Sequence, residues 1–362
     1  MKGERLEMMD DQKRYSLDGY IRETEPESEK RSSAWKTAIG LQDVDGLRPS
    51  SYLRETAREH IEGRIDISTA KLRIDSYYKA QDERTPDASE IKEADIVSVR
   101  IAEILNQRSF SMSPEELIRI HGRLFSGIYD HAGAFRDCNV TKKEWVLDGD
   151  TVLYTPHEII AASLDYDFRE ERNFSYDISL REASRHIASF ISGVWQIHPF
   201  AEGNTRTTAV FLIKYLQAFG FNVSDEPFES NSWYFRNALV RANYQNLQKG
   251  IRRTTDYLEL FFDNLLFGAE HELKNRYLHV DWKSAEKLSL GEKLPGNLTL
   301  EESAVLGIIK DDPSATQAEI AERTGKSIST VKNLTISLSR KGVIVRIGGK
   351  RYGSWKVSGR DE

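Results

Sequence analysis

The sequence predicts a mainly α-helical protein: a helical bundle that carries one β-hairpin, followed by a small C-terminal module of helices and two strands. Three observations predict it. Apolar residues recur at helical spacing through most of the 362 residues. That spacing breaks at 140–154, where two short apolar runs flank Asp148-Gly149-Asp150. After Leu294-Pro295-Gly296, three helical runs precede two strand-like ones. At a rough prior of about 150 residues per domain, the length suits two or three folded units.

Residues 1–33 are charged and poor in aliphatic side chains, which predicts a disordered arm. Residues 34–110 read as a helical segment: Trp35, Ile39, Leu41 and Leu47 anchor its start, and Leu53, Ala57, Ile61 and Ile65 recur at helical spacing. The polar stretch 80–89, with Pro86, reads as a loop before a helix over Ile91 to Leu105. The core unit spans 111–267. Ser113 and Pro114 suit the cap and first position of a helix ending near Phe125. Val140 to Leu147 and Thr151 to Tyr154 read as strands joined at the Asp-Gly turn, and Arg181 to Ile197 as an amphipathic helix. Thr207 to Phe219 is apolar on nearly every side and reads as a buried helix. Residues 268–297 read as a connecting helix and linker. The last unit, 298–362, contains helices over Leu298 to Lys310, Thr316 to Thr324 and Ile328 to Lys341, then strands over Val343 to Ile347 and Ser354 to Val357.

Composition excludes several classes. No apolar run approaches the roughly 20 residues that span a bilayer, so no membrane partner is expected. Met1 to Arg14 lacks an apolar core and cleavage site, and the single Cys138 allows no internal disulfide and no cysteine-built zinc site; a reducing cytoplasm is the expected location. Cys138 itself reads as a small apolar filler. The net charge of −6 argues against coating nucleic acid, yet Lys326 to Arg360 holds nine Lys and Arg and no Asp or Glu.

The chemistry concentrates between the last two helices of the core unit, in His198-Pro199-Phe200-Ala201-Glu202-Gly203-Asn204-Thr205-Arg206. A helix begins here, and its unpaired N–H groups and partial positive charge bind phosphate. Arg206 would add a planar phosphate clamp. Glu202 suits a Mg²⁺ ion that bridges phosphates. His198 has the pKa range of a base for an attacking hydroxyl. Together these are parts of a phosphoryl- or nucleotidyl-transfer site.

The segment resembles the Fic motif, His-Pro-Phe, any residue, Asp or Glu, Gly-Asn-Gly-Arg, two residues, Arg, at eight of its nine positions from His198 to Arg206. Ala132-Gly133-Ala134-Phe135-Arg136 also resembles sequences of the Fic/DOC family. The resemblance implies a helical bundle with a β-hairpin flap at 140–154. It implies transfer of AMP from the co-substrate ATP, with Mg²⁺, to a Ser, Thr or Tyr hydroxyl of a protein target. His198 would be the general base, Glu202 would act through Mg²⁺, and Gly203, Asn204, Thr205 and Arg206 would form the anion cradle. Tyr234, Phe235 and Asn243 stand where relatives place nucleoside contacts. Lys142 and Lys143 are either target contacts on the flap or edge-strand charges that prevent aggregation. Thr205 replaces the third Gly and Ala209 the terminal Arg, which leaves room for another donor, for removal of AMP, or for nucleotide binding without transfer.

Many family members carry an inhibitory element, a Ser or Thr, three residues, Glu, then Gly or Asn. Arg58 to Gly63 resembles it at Glu62 and Gly63 but not at Arg58, and Ala209 lacks the partner Arg. Residues 298–362 resemble a winged helix-turn-helix domain. The resemblance places Ser329, Thr330, Lys332 and Asn333 towards DNA bases and Lys350 and Arg351 of the wing towards phosphates. Such domains also dock proteins, and a homodimer is compatible with the sequence.

Overall fold

The computed structural model describes residues 26–80, 86–221, 223, 226–282, 298–348 and 353–358. Helix α1 (Pro26–Gly40) opens it and buries Trp35 and Ala38 completely. Residues 26–33, expected in the arm, belong to this helix because neighbours hold them: Ser28 and Arg31 donate side-chain hydrogen bonds to the Ile61 carbonyl. Residues 1–25 lie outside the described chain. Next come α2 (Ser51–Ile61), α3 (Ile67–Lys79) and α4 (Pro86–Asn106). The loop expected over 80–89 is shorter, since proline at a first helical position starts a helix at no hydrogen-bonding cost; residues 81–85 are outside the described set.

In α5 (Pro114–Phe125), Ser113 caps the helix by accepting from the Glu116 N–H, worth about 1 kcal/mol. Helices α6 (Ile160–Asn173) and α7 (Leu180–Ile197) pack together, and Ser179 with Glu182 forms a complete capping box on α7. Helix α8 (Asn204–Ala218) is the axis of the unit. The turn Leu41–Asp45 and helices α4, α5 and α7 surround it, and every residue from Asn204 to Leu216 is buried. Helices α9 (Glu226–Asn243) and α10 (Asp256–Phe267) close the bundle, α9 lying against α1 and α7.

The expected hairpin over 140–154 has no strand ladder. Glu144, Val146 and Leu147 are all buried, which strand alternation forbids, and Trp145–Leu147 forms a 3-10 turn. Asp148 (φ 56°) and Gly149 (φ 80°) reverse the chain, closed by Glu144 N–H to Asp150 carbonyl at 2.9 Å. The connecting helix expected within 268–297 is, over the described part, the single 3-10 turn Asn275–Leu278.

The C-terminal module follows the expectation: α11 (Leu300–Asp311), α12 (Gln317–Thr324), α13 (Ile328–Arg340) and an antiparallel pair, β1 (Ile344–Ile347) with β2 (Ser354–Val357), in register Ile344 to Val357. Val305, Ile309, Ile320, Val331, Leu338 and Trp355 form its core. Leu300 and Ala304 pack into the main core instead, and the Leu180 N–H donates to the Leu298 carbonyl at 2.8 Å. Gly220 touches the other side: a Cβ there would lie 2.9 Å from the Thr324 Cβ.

Candidate active site

Helix α7 ends at Ile197, and His198 takes a left-handed conformation (φ 52°, ψ 59°) that a non-glycine residue adopts only when its surroundings enforce it. Arg136 enforces it. Its buried guanidinium is spent on backbone carbonyls: those of His198 and Cys138 at 2.7 Å each, and that of Thr155. The loop then folds on Asn204, whose Oδ1 accepts from the Phe200 N–H at 3.0 Å and whose amide donates to the Phe200 carbonyl at 2.7 Å. Gly203 has φ 73°, and a Cβ there would lie 2.4 Å from the Phe125 ring, so only glycine fits.

A residue that the sequence reading missed supports this loop from below. His121, fully buried, stacks on Phe200 at 3.7 Å. Its Nδ1 accepts from the Gly133 N–H at 2.8 Å, which leaves Nε2–H to donate to the Glu202 carbonyl at 3.1 Å. Burial pushes its pKa down to about 4, keeping it in this neutral tautomer. No local motif marks it.

Around His198, the Tyr154 ring stacks on the imidazole at 4.0 Å and the Trp195 ring stands edge-on at 5.5 Å. Burial, helped by the charges of Lys142, Arg136 and Arg236, pushes the His198 pKa down to about 3. The imidazole is therefore neutral at physiological pH, and its Nδ1 has no partner. The Glu202 side chain is exposed and has no ion pair among the described residues. At the start of α8 the cap is Gly203, with no side-chain acceptor for the first N–H groups. Both observations fit phosphate and a divalent cation: the helix terminus has no side-chain cap, and a carboxylate without an ion pair among the described residues lies in the preceding turn. Thr205, in place of glycine, is fixed by Trp195 Nε1–H donating to its hydroxyl at 3.0 Å.

Arg206 is placed differently from the expected clamp. It is buried beneath the loop, with Nε 2.8 Å from Asp45 and Nη2 2.6 Å from Glu93, while it donates to Gln42 and lies 4.8 Å over Phe125. Its charge is already met by two carboxylates from the segment before the core unit. Tyr234 and Phe235 do not present faces to a nucleoside: both are buried, Phe235 between Phe228 and Phe261, because α9 turns that side into the bundle. Asn243 donates to the Ser192 hydroxyl and carbonyl, fixing α9 to α7. Glu62 caps α2 and pairs with Arg64, and among the described residues no contact joins it to the loop; Gly63 (φ 74°) supplies the turn. Lys142 and Lys143 are exposed, with Lys142 close enough to His198 to act on its pKa. Cys138 is exposed, not an apolar filler.

In the C-terminal module Ser329, Lys332 and Asn333 are exposed on α13, whereas the Thr330 hydroxyl bonds that of the capping Ser327 at 2.8 Å. Of the basic residues counted there, Lys326 pairs with Glu301 and Lys341 with Glu302, each at 2.6 Å. Arg346 lies over Trp355 at 4.6 Å. Lys332, Arg340 and Lys356 carry no ion pair among the described residues. Lys350 and Arg351 lie outside them. No helix among the described residues is long and apolar enough to cross a membrane.

Residues 111–216 match the sequence profile of the Fic/DOC family, and residues 302–345 that of a winged helix-turn-helix DNA-binding domain. No curated protein matches the chain. Among solved structures, a Fic family protein from Desulfovibrio desulfuricans G20 is similar at 14% identity and a TM-score of 0.41, over 92% of this chain and 88% of that one. The chain thus combines a segment similar to the Fic/DOC family at 111–216, which contains the His198 loop, with one similar to winged helix-turn-helix DNA-binding domains at 302–345.

Proposed function

We propose that the His198 loop transfers AMP from ATP to a Ser, Thr or Tyr hydroxyl of a protein target. One observation carries the reading: a neutral His198, an exposed Glu202 and the open N-terminus of α8 share a single loop whose shape is fixed by Asn204, Arg136 and His121. The hydroxyl oxygen would bond to the α-phosphorus as the α–β phosphoanhydride breaks and pyrophosphate leaves; the α8 N–H groups would hold the phosphates, and His198 would take the proton of the attacking hydroxyl. A Mg²⁺ ion held through Glu202 would supply neutralisation of phosphate charge. With Arg206 engaged elsewhere, the exposed Lys142 would be a cation free to approach bound phosphate from the neighbouring loop. The test is incubation of the protein with labelled ATP, Mg²⁺ and cell lysate beside His198→Ala; equal labelling by both overturns the role of His198.

The engagement of Arg206 by Asp45 and Glu93 favours a second reading, in which the loop binds nucleotide without transfer. ATP binding at equilibrium with no label on any protein, the chain itself included, would establish it. For the C-terminal module we propose DNA binding through α13. Lys332→Ala should weaken binding to the preferred sequence by about 1–3 kcal/mol more than to unrelated sequences, read by fluorescence anisotropy; no measurable DNA binding by the full chain at moderate salt argues for protein docking.

A further inference from the structure

The Tyr154 ring covers one face of the His198 imidazole. It lies 30° from the His198 plane at 4.0 Å, and it meets Trp195 edge-on at 5.8 Å. The backbone on both sides is fixed: the Leu153 carbonyl accepts from the Gln196 side chain and the Thr155 carbonyl from Arg136. With these carbonyls held, rotation about its own side-chain bonds is the movement of the ring that leaves both hydrogen bonds intact. Its hydroxyl is buried near Glu144 and Arg236 without a well-formed hydrogen bond, and His198 Nδ1 beneath it has no well-formed one either. Two polar atoms are thus left unsatisfied in the closed arrangement, and opening would hydrate both, offsetting the cost of turning the apolar ring face out to water. Next to it Leu153 is 81% exposed, so the outer side of this segment is bare.

We propose that Tyr154 is a positioning residue that covers the His198 imidazole and swings away to admit the acceptor hydroxyl. The proposal rests on the reading of His198 as the base that receives that hydroxyl. In the closed arrangement the ring excludes water from the base. In the open one the same aromatic walls, His198 and Trp195, receive the incoming group.

The test uses the full chain and does not depend on turnover. Diethyl pyrocarbonate acylates unprotonated, accessible imidazole nitrogen, and peptide mass spectrometry gives the rate at each histidine separately. A cover that is closed about nine-tenths of the time or more lowers the rate at the covered group by the open fraction, so Tyr154→Ala should raise acylation of His198 about tenfold or more. The rate at the half-buried His157, away from the ring, should stay constant. Tyr154→Phe keeps the ring and removes only the hydroxyl, so it should stay closer to the wild type than Tyr154→Ala does. Should the alanine variant fold poorly by circular dichroism, Tyr154→Leu replaces it in the same comparison. Equal His198 acylation in the wild type and the truncated variant overturns the proposal. Failure of the transfer reading shows elsewhere, as equal labelling by the wild type and His198→Ala, and leaves the acylation result unaffected.

Discussion

Replacing His121 with Phe retains a ring to stack on Phe200 but removes both hydrogen bonds beneath the loop. The Gly133 N–H and the Glu202 carbonyl lose their partners. Each buried unpaired group costs about 1–3 kcal/mol, so the variant should be less stable at pH 7 by about 2–4 kcal/mol. The effect of pH separates this from a packing defect. The folded pKa of His121 is about 4, below the value near 6.5 of an exposed imidazole. Between these values the unfolded chain binds a proton that the folded one rejects, so stability contributed by neutral His121 is present above pH 6.5 and is lost as pH falls towards 4. At about 1.4 kcal/mol per unit, the full window is worth about 3 kcal/mol. His60 and His198, held near 4 and 3 by burial, add to the slope in both proteins. Urea unfolding at half-unit pH steps should therefore show wild type and His121→Phe far apart at pH 7 and converging near pH 4. Parallel curves across this range refute the assignment of a neutral, doubly bonded His121.

Gly203→Ala adds a Cβ into the Phe125 ring at a left-handed backbone position, and the urea midpoint should report a loss of about 2–4 kcal/mol. Arg206→Gln leaves Asp45 and Glu93 as uncompensated charges, and thermal or urea unfolding should show a loss of about 3–5 kcal/mol; a neutral result would mean that the cluster is fully solvated. Because burial holds the His198 pKa near 3, the base stays unprotonated as pH falls. The proposed kcat/KM should then remain level from pH 7 to pH 5 wherever the protein stays folded, and a decline with a midpoint near 6.5 would show an exposed imidazole. Glu62→Gly should leave nucleotide transfer unchanged, since Glu62 pairs with Arg64; a rise in labelling would place Glu62 at the loop.

Most helices were legible because their cores follow helical spacing; the cap read at Ser113 is formed, and Ser179, Thr299 and Thr316, which were not singled out in the sequence, cap their helices in the same way. Helix α6 escaped notice because Ile160, Leu164 and Phe168 make a single stripe among acidic and basic residues. The flap misled for the opposite reason. Its turn residues are those of a hairpin, yet the Glu144–Arg236 ion pair at 2.8 Å draws Glu144 inwards and breaks the alternation. At the site, His198, Glu202, Gly203 and Asn204 could be read in one stretch, because a loop before a helix is local in sequence. The partners that decide Arg206 and the loop's underside could not. Asp45, Glu93, His121 and Arg136 reach it across 62 to 161 positions, and nothing in their own neighbourhoods announces the contact.

Helix α8 begins at the His198 loop and finishes two residues before Gly220, where the chain meets Thr324 of the C-terminal module. Fifteen residues make a strut of about 22 Å. That strut is buried from Asn204 to Leu216, and the module meets the main unit on a second side through Leu298, Leu300 and Ala304, so α13 and the His198 loop are linked through packed side chains as well as through the connecting segment. Under the proposed readings, a target protein at His198 and a duplex along α13 would each have to leave room for the other on this chain.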